Sequence, residues 1–207
     1  MNSIKNVIFD VGNVLVEFRW RKLMEELGAP TNVQSLFEKN VFGSHWWGEL
    51  DLGCLEESDV VAHLRRESEP YQKEFDAIWE HRSRLVEPYN YTVSWIRHLK
   101  QQGLCVYLLS NYPREMFTLH TECGCFPFLD DVDGKVVSGF VRMVKPNADI
   151  YLHLIEKYHL NASECVFLDD RKENIQTAVN IGMKGIVFEK YDLAAAMLEE
   201  YIKKSKA

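Results

Sequence analysis

The amino-acid sequence predicts an α/β fold, a Rossmann-like three-layer parallel sheet with a small helical domain inserted into it. Three observations predict this. First, three apolar runs each end in small polar or acidic residues. Val7-Ile8-Phe9 runs into Asp10, Cys105-Val106-Tyr107-Leu108-Leu109 into Ser110-Asn111, and Cys165-Val166-Phe167-Leu168 into Asp169-Asp170. Such runs read as buried strands. Second, helix-period segments lie between them, and repeated strand–helix units imply parallel strands joined by right-handed crossovers. The three polar ends then share one edge of the sheet. Third, Glu17 to Glu87 carries helical periodicity and no convincing strand. The sheet domain is therefore expected at 1–16 and 88–207, with the helical insert at 17–87.

Asp10 closes the first strand, and ligands of open parallel sheets bind at that end. An aspartate there is a reactive group, a metal ligand or the cap of a following helix. Gly12 lets the backbone approach whatever sits opposite. In the insert, Leu23, Met24 and Leu27 form one apolar stripe closed by Gly28-Ala29-Pro30, and Val33, Leu36, Phe37 and Val41 a second, with Thr31-Asn32 as cap candidates. Ser58 precedes a stripe of Val60, Val61 and Leu64, and Phe75, Ile78, Trp79 and Leu85 make the last, ending before Pro88. Between these helices, Ser44 to Asp51 reads as a loop rich in aromatic and polar groups. Its Trp46 and Trp47 fit the core of the insert better than a substrate platform.

The sheet domain resumes with a helix through Val93, Ile96 and Leu99, stopped by Gly103, and another helix begins after Pro113. Asp130 to Gly134 is a poor calcium loop, because Leu129 and Phe140 occupy ligand positions. Asp133-Gly134 reads instead as a hairpin turn. A helix with Ile150, Leu154 and Tyr158 precedes the strand into Asp169. One with Ile175, Ala178 and Val179 follows it and ends at Gly182. Gly185 to Phe188 is the last strand, and Leu193 to Ile202 the terminal helix.

Composition narrows the function classes. The 207 residues are 46% hydrophobic, enough for a core without disulfides. A formal charge of −7 without a basic stripe argues against a nucleic-acid surface, so an anionic ligand would need a local cation. Five cysteines, two of them inside strands, suggest reduced and mostly buried thiols. With no leader and no apolar run of membrane-spanning length, a cytoplasmic protein is expected. His120, Cys123 and Cys125 match no zinc spacing and lack a fourth ligand.

The strand ends gather Asp10, Ser110, Asn111, Asp169 and Asp170, joined by Lys145. Crowded carboxylates stay ionised only around a cation, and an all-oxygen donor set suits Mg²⁺. A hydroxyl, an amide and an ammonium beside the metal can hold phosphoryl oxygens, so that a carboxylate can attack phosphorus in line and form an aspartyl phosphate. No glycine-rich nucleotide loop is present.

These residues, in this order, resemble the motifs of the haloacid-dehalogenase-like hydrolase superfamily. Phe9-Asp10-Val11-Gly12-Asn13-Val14-Leu15-Val16, Leu109-Ser110-Asn111, Lys145-Pro146-Asn147-Ala148-Asp149-Ile150-Tyr151 and Phe167-Leu168-Asp169-Asp170 with Asn174 look most like its branch holding the bacterial α-glucose-1-phosphate phosphatase. The resemblance implies a Mg²⁺-dependent phosphatase with Asp10 as nucleophile and metal ligand. Gly12, through its carbonyl, and Asp170 would complete the metal set, with Asp169 and Asn174 supporting it. Ser110 and Asn111 would hold the phosphoryl group, and Lys145 would neutralise Asp10 and the group in transfer. The insert becomes a cap, with His45, Trp47, Glu49 and Asp51 as candidates for reaching the substrate.

One departure bears on the substrate. The superfamily's phosphatases usually carry an acid two residues after the nucleophile, where this chain has Gly12 followed by Asn13. Neither relays a proton, which favours a leaving group that departs readily, such as the anomeric oxygen of a sugar 1-phosphate. The expected partner is thus a small phosphorylated metabolite, with no nucleic acid, membrane or obligate protein partner. Two alternatives remain: a sugar-phosphate-binding regulator without turnover, and a C–halogen hydrolase. The paired Asp169-Asp170 argues against the latter, whose chemistry needs no metal. A phosphoacceptor receiver domain would carry its acidic pair early and its phosphoacceptor late, the reverse of the order here.

Overall fold

The structure is a computed structural model, and it describes residues 3–206. Met1 and Asn2, the start of the leader-free reading, lie outside the described residues. The first apolar run becomes β1 (Asn6–Phe9). It is followed by the short β2 (Val16–Phe18), and then by α1 (Trp20–Glu26) and α2 (Thr31–Phe37). A wide π-helical turn, Glu38–Phe42, leads to α3 (His45–Leu52), α4 (Glu57–Glu67) and α5 (Gln72–Glu80). The chain returns through β3 (Val86–Pro88) to α6 (Thr92–Gln101), β4 (Cys105–Ser110) and α7 (Arg114–Glu122). Then come β5 (Gly134–Val137), the short α8 (Ser138–Val141), α9 (Ala148–Tyr158) and β6 (Cys165–Asp169). The last elements are α10 (Lys172–Asn180), β7 (Lys184–Val187) and α11 (Tyr191–Lys206).

The sheet runs β5-β4-β1-β6-β7 and every pairing in it is parallel. β1 is central, with Phe9 opposite Leu108 on one side and Leu168 on the other. The chain therefore leaves β1 in one direction and later returns on its other flank, which opens a crevice at the carboxyl ends. Strand alternation makes the three layers. Val7, Phe9, Val106 and Leu108 face Trp95, Ile96 and Leu99 of α6, whereas Ile8, Tyr107 and Phe167 face Ile150, Tyr151 and Leu154 of α9. The α1–α5 segment buries Leu23, Phe37, Leu64 and Phe75 in a cluster continuous with the first of these faces.

Several expectations are corrected. Glu17 to Glu87 does hold strand residues, because β2 and β3 pair antiparallel, Val16 against Pro88 and Phe18 against Val86. Ser44 to Asp51 is not a loop but Ser44 capping α3, its hydroxyl accepting from the Trp47 N–H at 3.2 Å. Thr31 is the first residue of α2 and not its cap, which is Pro30. Asp133-Gly134 makes no hairpin turn; β5 begins at Gly134 and runs parallel to β4. Glycine is required there because the Tyr158 ring lies 2.3 Å from where a Cβ would stand. Asp133 ties the strand start to β4, accepting from the Val106 N–H at 2.7 Å. The thiols are free, yet Cys165 alone of the five is buried, while Cys54 and Cys123 are exposed. Among the described residues no helix is long and apolar enough to cross a membrane.

Candidate active site

Asp10 continues β1 by donating its N–H to the Leu168 carbonyl at 2.9 Å, which fixes its backbone against β6. Its Oδ1 accepts from the Val11 N–H at 2.7 Å and pairs with Lys145 Nζ at 2.9 Å. Lys145 is delivered by a two-way amide clamp. Its N–H donates to Asn111 Oδ1 at 2.8 Å, and Asn111 Nδ2 donates to its carbonyl at 2.9 Å. The buried ammonium reaches Asp169 Oδ2 as well, at 2.6 Å. Burial alone would push the Lys145 ammonium down, but Asp10 and Asp169 together hold it above the ordinary lysine range.

Asp169 is fully buried and its carboxylate is saturated. Oδ1 accepts from the Arg171 N–H at 2.8 Å and from Asn174 Nδ2 at 2.9 Å, while Oδ2 accepts from Lys145 and again from Asn174 at 3.0 Å. Asp170 is less committed, with Oδ2 accepting from Asn13 Nδ2 at 3.1 Å. Asn13 sits at φ 56°, a left-handed conformation that asparagine tolerates, and its Oδ1 accepts from the Phe18 N–H. Burial pushes the Asp10 carboxyl up to about 7, with Asp169 and Asp170 acting in the same direction and Lys145 opposing. Burial likewise raises Asp170, offset in part by its hydrogen bond to Asn13.

A cavity of about 230 Å³ opens over this cluster. Its polar floor includes Asp10, Gly12, Asn13, Lys145, Asp170 and Asn174. The facing wall is mostly apolar, made by Phe18, Phe42, Trp47, Val86 and Met116, with Tyr112 at its side. Phe42 and Trp47 meet edge to face at 4.9 Å, and Phe18 joins them at 5.5 and 5.9 Å. One carboxyl, Asp51 of α3, stands on the helical side.

Of the candidates read from sequence, Asp10, Gly12, Asn111, Lys145, Asp170 and Asn174 line the cavity, as do Trp47 and Asp51. Helix geometry divides the other two from them. Trp47 and Asp51 are four residues apart on one face of α3, while His45 and Glu49 pair with each other at 3.3 Å and are not among the lining residues. Ser110 is 1% exposed and does not line the cavity, its hydroxyl lying 3.5 Å from the Asn111 carbonyl. Asn111 spends both ends of its amide on the Lys145 backbone. Asn13, Arg171 and the apolar wall other than Trp47 were not anticipated. Only Asn13 left a signal, since Gly-Asn after a strand is turn chemistry.

Oxygen atoms of Asp10, Asp169 and Asp170 lie within 4.8 Å of one another, a donor set of the kind a hard divalent cation takes. Asp169 already holds its full complement of hydrogen bonds, which leaves Asp10 and Asp170 as the available carboxylates. Because Asn174 must turn its NH₂ toward Asp169, its buried Oδ1 has no partner among the described residues. A buried acceptor left open on a residue that lines the same cavity suits a water carried by such an ion.

A family model described as haloacid dehalogenase-like hydrolase matches residues 4–182. A sesquiterpene phosphatase of Aspergillus oryzae is 28% identical over 188 residues, covering 89% of each chain. Among solved structures, a predicted HAD-like hydrolase from Porphyromonas gingivalis superposes with a TM-score of 0.72 at 21% identity, over 95% of this chain and 97% of that one. A HAD family enzyme from Bacteroides thetaiotaomicron, in complex with magnesium and inorganic phosphate, gives 0.69 at 22% identity, over 92% and 98%.

Proposed function

The chain belongs to the haloacid dehalogenase-like hydrolases, and from that premise we propose that it is a Mg²⁺-dependent phosphatase that transfers phosphoryl groups through Asp10. The observation that carries the reading is the Asp10–Lys145–Asp169 brace with Asp170 beside it. Asp10, Asp170 and the Gly12 carbonyl would hold the ion. What Mg²⁺ supplies there when bound is positive charge at a phosphoryl oxygen. Asp10 attacks phosphorus with its oxygen as the bond from phosphorus to the ester oxygen breaks and the alcohol leaves, and Lys145 offsets the charge on Asp10 and on the phosphoryl group. Asp169 and Asn174 keep the ammonium in place, and Asn111 anchors the backbone that carries it. Water then hydrolyses the aspartyl phosphate.

The substrate is a phosphate monoester of a mainly hydrocarbon alcohol. A sugar set against Phe18, Phe42, Val86 and Met116 would leave hydroxyls unpaired, at a cost of about 1–3 kcal/mol each. The sesquiterpene phosphatase relative supports the same substrate class. The sugar 1-phosphate reading keeps one observation in its favour, the absence of an acid at Gly12.

The test is kcat/KM for a C15 prenyl monophosphate, p-nitrophenyl phosphate and glucose 1-phosphate, with Mg²⁺ and with chelator. The prenyl ester is expected to exceed the sugar by roughly tenfold or more, which is 1.4 kcal/mol, and chelator to abolish both. The reverse order restores the sugar. No turnover of any ester returns the protein to a phosphate-binding regulator.

A further inference from the structure

The cavity holds six side chains capable of giving up a proton in principle, and five of them are committed. Asp10 and Lys145 bind each other, and Asp170 is held by Asn13. The Arg171 guanidinium pairs with Glu173 and does not deprotonate in this range. The Tyr112 hydroxyl faces His120 Nδ1 at 2.6 Å, and burial with nearby acids pushes its pKa far up. Gly12 has no side chain, and the Asn13 amide carries no transferable proton. The remaining group is Asp51, whose carboxyl has no hydrogen-bond or ion-pair partner among the described residues and lines the cavity that Asp10 lines.

We infer that Asp51 is the general acid and base of the reaction, a proton donor supplied by the helical segment and not by the loop after β1. This rests on the phosphatase reading above and names a catalytic residue for it. In the first step the Asp10 oxygen bonds to phosphorus while the bond from phosphorus to the leaving oxygen breaks, and Asp51 gives its proton to that oxygen. In the second step the Asp51 carboxylate takes a proton from water as the water oxygen bonds to phosphorus and the Asp10–phosphorus bond breaks. Phosphate leaves, and Asp51 is again the acid.

Two features of the fold suit this role. Asp51 lies in the last turn of α3, where the helix dipole disfavours negative charge. Burial raises its carboxyl to about 7, with Asp10 adding to the effect and Lys145 and Arg171 opposing it, so both protonation states are accessible near neutrality. The other titratable groups of α3, His45 and Glu49, are occupied with each other. Its position is also fixed. The Asp51 carbonyl accepts from Ser138 Oγ at 2.5 Å, and the Gly53 carbonyl from Arg114 at 3.3 Å. Gly53 packs so closely on Gly139 that a Cβ would stand 2.5 Å from its carbonyl oxygen. The end of α3 is thus pinned to the sheet domain through backbone atoms, leaving the Asp51 carboxyl free for the cavity.

The experiment is a series of aryl and alkyl phosphates of rising leaving-group basicity, run on the native protein, Asp51→Asn and Asp51→Glu with Mg²⁺. The native rate should vary little along the series. In kcat/KM, which reports the steps through phosphoryl transfer to Asp10, Asp51→Asn should stay within about tenfold on p-nitrophenyl phosphate and lose about 10²–10⁴-fold on alkyl esters. Asp51→Glu should recover part of the alkyl rate. Asp51→Glu should melt close to the native protein and Asp51→Asn at or above it, since no hydrogen bond is lost and the native charge opposes folding above about pH 7. An equal loss of kcat/KM on every ester, a change confined to KM, or a Glu variant no better than Asn would overturn the assignment while leaving the phosphatase reading intact. A native protein that hydrolyses no member of the series overturns both.

Discussion

On and beneath the floor of the cavity Asp10, Lys145, Asp169 and Asp170 are each braced by a residue from another segment of the chain, while the facing wall sets one unpaired acid among aromatic and aliphatic side chains. The floor is rigid because any one of its charges, stripped of its partner, would be buried alone, which typically costs 3–5 kcal/mol. The wall carries no such constraint. Its residues come from β2, β3, α7 and the helical segment, and they touch through rings that can be exchanged without stranding a charge. On the proposed function, one fold would separate a constrained chemistry from a more adaptable specificity.

The largest expected effect tests the floor. Asp10→Asn should lose turnover by about 10⁴-fold or more, as removal of a nucleophile does. It should nonetheless fold at least as well in chelator, because the Lys145 ammonium keeps Asp169 as its partner. The native carboxyl titrates far above its ordinary value, so above about pH 7 its charge opposes folding, and asparagine removes that opposition. A variant that keeps activity, or one that melts well below the native protein without metal, would make Asp10 a structural member of the brace.

The wall should respond in the opposite way. Trp47→Ala removes a ring that meets Phe18 and Phe42 and faces the cavity. Losing apolar contact worth roughly 1.4 kcal/mol should raise KM for a prenyl phosphate about tenfold and leave kcat within about threefold. A fall in kcat with KM unchanged would mean that Trp47 belongs with the chemistry and that the division between floor and wall is false.

The same division decides what could be read from sequence. The floor is legible because a parallel sheet delivers its strand ends to one place, so the sequence alone gathers Asp10, Asp169 and Asp170. Strand logic did not say which side chains turn inward, and so Ser110 was expected at the phosphate while its hydroxyl lies buried below. The wall was illegible for a physical reason. α3 fully buries Leu50 alone, while Trp46 stacks on His63 of α4 and Trp47 and Asp51 line the cavity, so its apolar periodicity is missing and Gly48 completes the look of a loop. β2 and β3 span three residues each, too short to alternate, and pair across a gap of some seventy positions that local pattern cannot bridge. β5 hid behind Asp133-Gly134, where glycine answers to the Tyr158 ring and not to a turn.

The smallest effect concerns the joint between the two regions. His120 of α7 is fully buried, with one ring nitrogen on each side of that joint. Nε2 lies 2.8 Å from the Arg82 carbonyl, at the end of the helical segment, and a carbonyl only accepts, so Nε2 carries the hydrogen. Nδ1 then accepts from the Tyr112 hydroxyl, on the cavity side. Burial pushes the imidazole pKa below its ordinary 6.5, with the Arg82 charge acting in the same direction and its carbonyl opposing. As pH falls through 6.5 the unfolded chain gains a proton that the folded one refuses, so stability drops there and is restored as pH rises. The native Tm should therefore decline more steeply than that of His120→Gln between about pH 7 and 5. Each kcal/mol of this linkage is worth about 2–4 °C in a chain of this size. Parallel Tm curves for the two proteins across that range would show that the imidazole is free to protonate in place. The contact between α7 and the Arg82 turn would then be loose enough for the wall to move over the floor.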